Sequence, residues 1–175
     1  MGMMDGLITL LGILMGVGAA TGDAQLVIIS GLVGGIANSF GTSVGFYTSE
    51  QAERGQQIEF YKKKRNVKIK ETSRYIHSKT EIYLETGFSF LAGAAALVFP
   101  IIPFFFTIPI FESMAMSFVI SIAMLYMLGY KIGQLNNENA LRSGFKYMLI
   151  GILSSLVALV IGEFLKGVLL GSRVV

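Results

Sequence analysis

Residues 24–47 read AQLVIISGLVGGIANSFGTSVGFY, and residues 48–79 read TSEQAERGQQIEFYKKKRNVKIKETSRYIHSK. The first stretch has no charged residue. It is long enough to cross the hydrocarbon core of a bilayer as a helix, which takes about 20 apolar residues. The second carries nine basic side chains, Arg54, Lys62, Lys63, Lys64, Arg65, Lys68, Lys70, Arg74 and Lys79, and cannot enter that core without a large cost. This boundary makes the chain an all-α integral membrane protein with one sizeable charged segment outside the bilayer.

Outward from that boundary the pattern repeats. Leu7–Ala20, with Met3–Gly6, makes a short Gly-rich first span, and Gly22-Asp23 is a turn signal. Further spans are expected over 85–106, 114–134 and 145–170, with Pro100, Pro103 and Pro109 breaking the helix into a short loop. The whole chain, 1–175, then forms a single membrane domain: spans 3–20, 24–47, 85–106, 114–134 and 145–170, and a charged segment over 48–82. Nothing shows the alternation of ~10-residue segments that a β-barrel needs. The second and fourth loop regions hold the basic residues, the fourth with Lys131, Arg142 and Lys146, whereas the first and third hold none. Five spans put those two loops on one side. Positive charge marks that side as cytoplasmic, so a multi-pass cell-membrane protein is expected, with a cytoplasmic N-terminus and an outside C-terminus. Ser49–Arg65 is expected to continue the second span as a helix and Glu71–Tyr83 to lead into the third, as a cytoplasmic hairpin. Lys62, Lys63, Lys64 and Arg65 suit anionic lipid head groups.

Composition excludes several functions. Of the 175 residues, 53% are hydrophobic and 14% charged, and mean hydropathy is +0.66; soluble domains carry about 25% charged residues. There is no cysteine, which removes disulfides, thiolate metal sites and thiol catalysis. His77 is the single histidine. No phosphate loop, Ser–His–Asp set or HExxH is present, so no enzyme, permanently bound cofactor or nucleic-acid partner is expected. The apolar N-terminus lacks the basic region of a signal peptide and opens on Asp5. The chain begins almost at Asp5, which leaves room for native residues ahead of Met1.

Asp5 is the sharpest candidate, with Thr9, Gly12 and Gly16 at helical spacing behind it. A carboxylate at a membrane helix points to function; the alternative is an interfacial helix cap. In the second span Asn38 with Thr42, and Ser39 with Ser43, are i,i+4 pairs that form one polar face. Such oxygens can replace an ion's water, or simply join helices by hydrogen bonds. Gly12/Gly16, Gly31/Gly35 and Gly41/Gly45 are small-xxx-small pairs that predict close packing of the first two spans, within or between subunits. Glu50 and Glu53 share a face, as do His77 and Glu81, and with Glu59, Glu71 and Glu85 they offer ligands for Fe²⁺, Mn²⁺ or Zn²⁺; interleaved basic residues favour an ion-paired surface instead. Glu112, and Glu163 with Lys166, read as interfacial. Met114, Met116, Met124, Met127 and Met148 read as packing.

Asp5-Gly6-Leu7-Ile8-Thr9, leading into a Gly-rich span, resembles the Asp-Gly-Leu-(Val/Ile)-Thr signature of the vacuolar iron transporter family. Ser39-Phe40-Gly41 through Gly45-Phe46-Tyr47 and Ser49-Glu50-Gln51-Ala52-Glu53 resemble its second span and extension. Gly93-Ala94 through Pro100 and Pro103 resemble the third span and its turn. Leu128-Gly129-Tyr130, Leu141-Arg142-Ser143-Gly144, Leu149-Ile150-Gly151 and Ile161-Gly162 resemble the last two. The similarity covers essentially the whole chain and fits an archaeal or bacterial side branch.

The resemblance implies a homodimer that exports Fe²⁺ or Mn²⁺ from the cytoplasm in exchange for protons. The pathway would run between the first and second spans at the dimer interface, and Asp5 would be a metal and proton site. Two departures stand out. Plant and fungal members place a Glu and, two turns later, a Met in the second span, where this chain has Leu32 and Phe40; its charged segment is also shorter than the metal-binding helical domain of the plant members, and its glutamates do not align cleanly with it. Three functions fit these residues. The first is a divalent-metal transporter. The second, favoured by Leu32 and Phe40, is a scaffold or regulator acting through the charged hairpin. The third is a passive cation channel using the Asn38–Thr42 face.

Overall fold

The computed structural model describes residues 2–65 and 73–170, and the side chains of 2–56 and 82–168. The elements are α1 (Gly2–Thr21), α2 (Ala24–Arg65), α3 (Ser73–Ala96), α4 (Val98–Ile101), a 3₁₀ turn (Ile102–Phe105), α5 (Ile110–Leu135) and α6 (Ala140–Leu170). Among the described residues there is no strand. Five helical segments are long and apolar enough to cross a membrane: Gly2–Thr21, Ala24–Gln56, Ile82–Phe105, Ile110–Leu135 and Ala140–Val168. The third is not one continuous helix. It breaks at Leu97, whose amide bonds back only to Ala94, and Pro100 then has no amide to offer the Ala96 carbonyl. The chain turns extended only at Phe106, and Pro109 starts α5. α5 begins earlier than the expected 114, because Glu112 sits in its first turn, where a carboxylate suits the positive end of the helix.

α2 is one helix of 42 residues. That is roughly 63 Å at 1.5 Å per residue, about twice the hydrocarbon core, so the second span continues as a helix well beyond the membrane. α3 starts at Ser73. The connection 66–72, and the side chains of Glu59, Lys62, Lys63, Lys64, Arg65, Glu71, His77 and Glu81, lie outside the described residues.

The two tight turns follow from local chemistry. Gly22 adopts φ +64° and its amide reaches the Gly18 carbonyl, the left-handed stop that glycine makes without a Cβ clash. Asp23 then caps α2, its Oδ1 accepting from the Gln25 amide at 2.8 Å and the Leu26 amide at 3.3 Å. Between α5 and α6, Asn137 takes φ 55° and Asn139 Oδ1 accepts from the Arg142 amide.

α1 is the central helix and packs against α2, α3, α5 and α6. Its ridge Leu7, Leu10, Leu11 and Leu14 is completely buried. The glycine pairs meet three different surroundings. Gly31 receives Leu10 and Leu14 of α1, and Gly35 receives Leu97. Gly12 and Gly16 face Ser154 and Ala158 of α6. Gly41 and Gly45 face open space. Among the described glycines the tightest notch lies between α1 and α6, where a Cβ on Gly162 would overlap the Gly16 carbonyl oxygen. We therefore expect Gly162→Ala to cost about 1–3 kcal/mol by overpacking, while Gly167→Ala, which has nothing within 4 Å, changes little; denaturant unfolding of both variants in detergent checks this.

Candidate functional site

Asp5 lies in the first turn of α1, and its side chain is exposed. The fixed leucine ridge points this face of α1 toward α2, where Thr42 Oγ1 stands 2.9 Å from Asp5 Oδ2. The same hydroxyl is 2.8 Å from the Asn38 backbone oxygen. A hydroxyl has one hydrogen, so it cannot donate fully to both. With Asp5 ionised, Thr42 donates to the carboxylate. With Asp5 protonated, the acid O–H donates to Thr42, which turns its own hydrogen to the Asn38 carbonyl. One set of heavy-atom positions therefore satisfies both protonation states of Asp5.

Asn38 is half-buried, and its Nδ2 has no hydrogen-bond partner among the described residues. An amide left without a partner is an unusual cost. It puts a side chain able to rotate its oxygen or nitrogen forward one helical turn from Thr42 on the α1 side of α2. Thr9 is half-buried one turn beyond Asp5. Thr42 is the nineteenth residue of α2, roughly 27 Å from its start. The group thus lies near the edge of the hydrocarbon core, at the end of the bundle where α2 leaves it.

The two polar pairs of α2 do not share one environment. Ser39 is buried with its hydroxyl bonded to the Gly35 carbonyl at 2.9 Å, and it abuts Gly93 of α3. Ser43 is likewise buried and bonds the Ser39 carbonyl at 2.8 Å. Asn38 and Thr42 turn toward α1; Ser39 and Ser43 turn toward α3. Leu32 and Phe40 are both exposed, 38% and 64%, and Phe40 lies roughly 200° around the helix from Thr42, edge-on to Phe90 of α3.

Two contacts escaped the sequence. Tyr47 stacks on Tyr83 at 5.4 Å, with the hydroxyls 3.3 Å apart. About two turns further along α2, Arg54 holds Glu50 of its own helix at 3.3 Å and Glu85 of α3 at 3.7 Å. Both tie α2 to α3 across some thirty intervening residues, and no short-range spacing marks them. Glu50 is therefore engaged by a cation, while Glu53 is exposed. Among the described residues no three His, Asp or Glu side chains converge as a metal cage, and His77 and Glu81 lie outside them. Glu163 and Lys166 form an exposed i,i+3 pair at 3.9 Å. Met114 packs on Gly18 and is buried, whereas Met116 and Met127 face outward.

A carboxylate backed by hydroxyl and amide groups, set between two membrane helices, is the setting in which an ion or proton can leave water. The sequence model of the VIT family matches residues 1–89 and again 78–163. The chain belongs to the VIT family. It is 34% identical to an uncharacterized protein of Methanocaldococcus jannaschii over 152 residues, covering 83% of this chain and 76% of that one. It is also 31% identical over 98 residues to vacuolar iron transporter homolog 1 of Oryza sativa subsp. japonica, covering 54% of this chain and 42% of that one. The VIT family transports metal ions and is not a family of enzymes, so this multi-pass protein is a metal-ion transporter by family. Removing the Thr42 hydroxyl should matter more than removing that of Ser39. We expect Thr42→Val to slow metal flux about tenfold or more, the scale of one hydrogen bond to a charged group, and Ser39→Ala to stay within about twofold of the unmodified protein; flux into vesicles reads the difference.

Proposed function

We propose that this VIT-family protein exports Fe²⁺ or Mn²⁺ from the cytoplasm in exchange for protons, as a homodimer whose pathway lies where the α1–α2 pairs of two copies meet. The observation that carries the mechanism is the Asp5–Thr42–Asn38 arrangement, which accommodates Asp5 both with and without a proton. An ionised Asp5 would share a divalent cation. A proton arriving from the far side would neutralise the carboxylate, weaken its hold on the metal and be carried by the same hydrogen bonds. Iron enters this proposal through the rice relative's name and through the family resemblance.

The exposed side of α2 supports the dimer. Asp5 is exposed in the single chain, and an ionised carboxylate facing lipid is costly. Beside it, Ala37, Gly41 and Gly45 are exposed, with nothing within 4 Å of either glycine. Such a groove lets a second helix approach closely. Two copies meeting there would bring their Asp5 carboxylates together, and two like charges at short range require a shared cation or a shared proton. The basic end of the bundle faces the cytoplasm in this proposal, with the N-terminus on that side and the C-terminus outside. Glu53, His77 and Glu81 of the charged segment, with Glu50 once it exchanges its Arg54 partner for the ion, would gather metal before it reaches Asp5.

Two tests follow. Proteoliposomes loaded with a pH-sensitive dye and offered Fe²⁺, Mn²⁺, Co²⁺, Zn²⁺ and Ca²⁺ in turn should show metal-driven proton movement that Asp5→Asn abolishes while remaining folded and dimeric. Transport retained in Asp5→Asn would overturn the mechanism, flux without protons would indicate a channel, and no flux from folded dimer would favour a scaffold. For the interface, Gly41→Leu should leave the single-chain fold intact yet lower dimer affinity about tenfold or more, as read by crosslinking or by analytical ultracentrifugation in detergent.

A further inference from the structure

α6 opens at the end of the bundle where the charged segment of α2 emerges, since the spans alternate in direction. On its outer face runs an open groove of about 760 Å³ lined by Asn139, Arg142, Phe145, Lys146, Leu149 and Leu153, among others. Its walls are apolar and outward-facing: Phe145 is 54% exposed, Leu149 54% and Leu153 62%. Lys146 and Leu153 are seven residues apart, roughly 10 Å along the helix, which matches the upper part of an acyl chain lying under a head group.

Two cations stand together at the mouth of this groove; exposed Lys131 of α5 also makes no ion pair among the described residues but does not line the groove. Arg142 and Lys146 stand one turn apart on one face and are exposed. Among the described residues the other cations include two with carboxylate partners, Arg54 with Glu50 and Glu85, and Lys166 with Glu163. Arg142 and Lys146 make no ion pair there, even with Glu138 only four residues before Arg142 in the chain. Two uncompensated cations over an apolar trough, at the surface of a membrane, are complementary to an anionic head group on two hydrocarbon chains. We propose that this groove on α6 is a binding site for an anionic phospholipid of the leaflet on the charged side, held by Arg142 and Lys146 at its phosphate and by Phe145, Leu149 and Leu153 along its chains. The site is separate from Asp5 and does not rest on the transport mechanism.

The chain has no tryptophan, so a single introduced one reports locally. Leu149→Trp places it in the groove, with Leu153→Trp as a second reporter should the first not fold. Val160→Trp, exposed on the same helix and roughly 21 Å beyond Lys146, is the control. Each full-length variant is reconstituted in phosphatidylcholine vesicles with increasing dibrominated phosphatidylglycerol, or with dibrominated phosphatidylcholine for comparison. The brominated anionic lipid should quench the groove reporter at about a tenfold lower share of the bilayer than it quenches Val160→Trp. Arg142→Gln with Lys146→Gln should remove that preference without altering quenching by brominated phosphatidylcholine. Equal quenching at groove and control, or a preference that survives loss of both charges, would overturn the proposal. A groove reporter that neither lipid quenches would overturn it too, by showing a second protein surface there.

Discussion

The buried ridge of α1 is the constraint on which the rest depends. Leu7, Leu10, Leu11 and Leu14 have no accessible surface, and α2, α3, α5 and α6 all lean on this one helix. In a bilayer apolar side chains gain little from leaving lipid, so helices are held by close van der Waals contact and by hydrogen bonds. Glycines make that contact possible. Gly31 admits the tips of Leu10 and Leu14, Gly34 admits Ile13, and Gly162 brings α6 against the backbone of α1 at Gly16. With its far half clamped by α6 and its ridge filled by neighbours, α1 has no freedom to rotate. The position of Asp5 relative to Thr42 is set by this packing rather than by their mutual hydrogen bond.

From that fixed helix the chemistry follows in sequence. Thr42 is placed by α2, whose membrane half is held by Asp23 at its start and by α3 along one side, through Ser39 on Gly93 and Phe40 on Phe90. Beyond the membrane the same helix continues without a break, and Tyr47–Tyr83 and Arg54–Glu85 bind it to α3 again. Glu85 is half-exposed, so the ion pair itself contributes little; its role is to fix the direction in which α2 leaves the bilayer. The site and the start of the charged segment therefore sit on one continuous helix, with Thr42 and Glu50 eight residues apart, roughly 12 Å.

Much of this was legible in residues 24–79. The abrupt change from uncharged to basic, the five apolar stretches, the Gly22-Asp23 turn and the helical continuation past Tyr47 all depend on local composition and spacing, and the helices realise them. Asp5 and Thr42 each stand out in the sequence as polar groups in apolar spans, though nothing there pairs them. The four polar residues of α2 looked like one face because i,i+4 spacing groups them so; α1 and α3 divide them, Asn38 and Thr42 to one side and Ser39 and Ser43 to the other. The third span read as unbroken to its prolines, whereas the helix breaks at Leu97, since Pro100 disturbs the hydrogen bonds of the turn before it.

The sequence by itself determined that this is a membrane protein of five helical spans, which of its ends is basic, and that it resembles metal carriers through Asp5-Gly6-Leu7-Ile8-Thr9. Those properties are fixed by transfer energies and by residues near one another in the chain. Only the tertiary structure decided that Asp5 meets Thr42 across 37 positions, that Gly41 and Gly45 stay open while Gly31 and Gly35 are filled, and that Arg142 and Lys146 stand above an apolar groove with no ion pair among the described residues. The physical reason is that every span is apolar on most of its surface. Hydropathy cannot then distinguish the side that meets another helix from the side that meets lipid, and that choice is made by the fit of side chains into glycine notches once the helices pack.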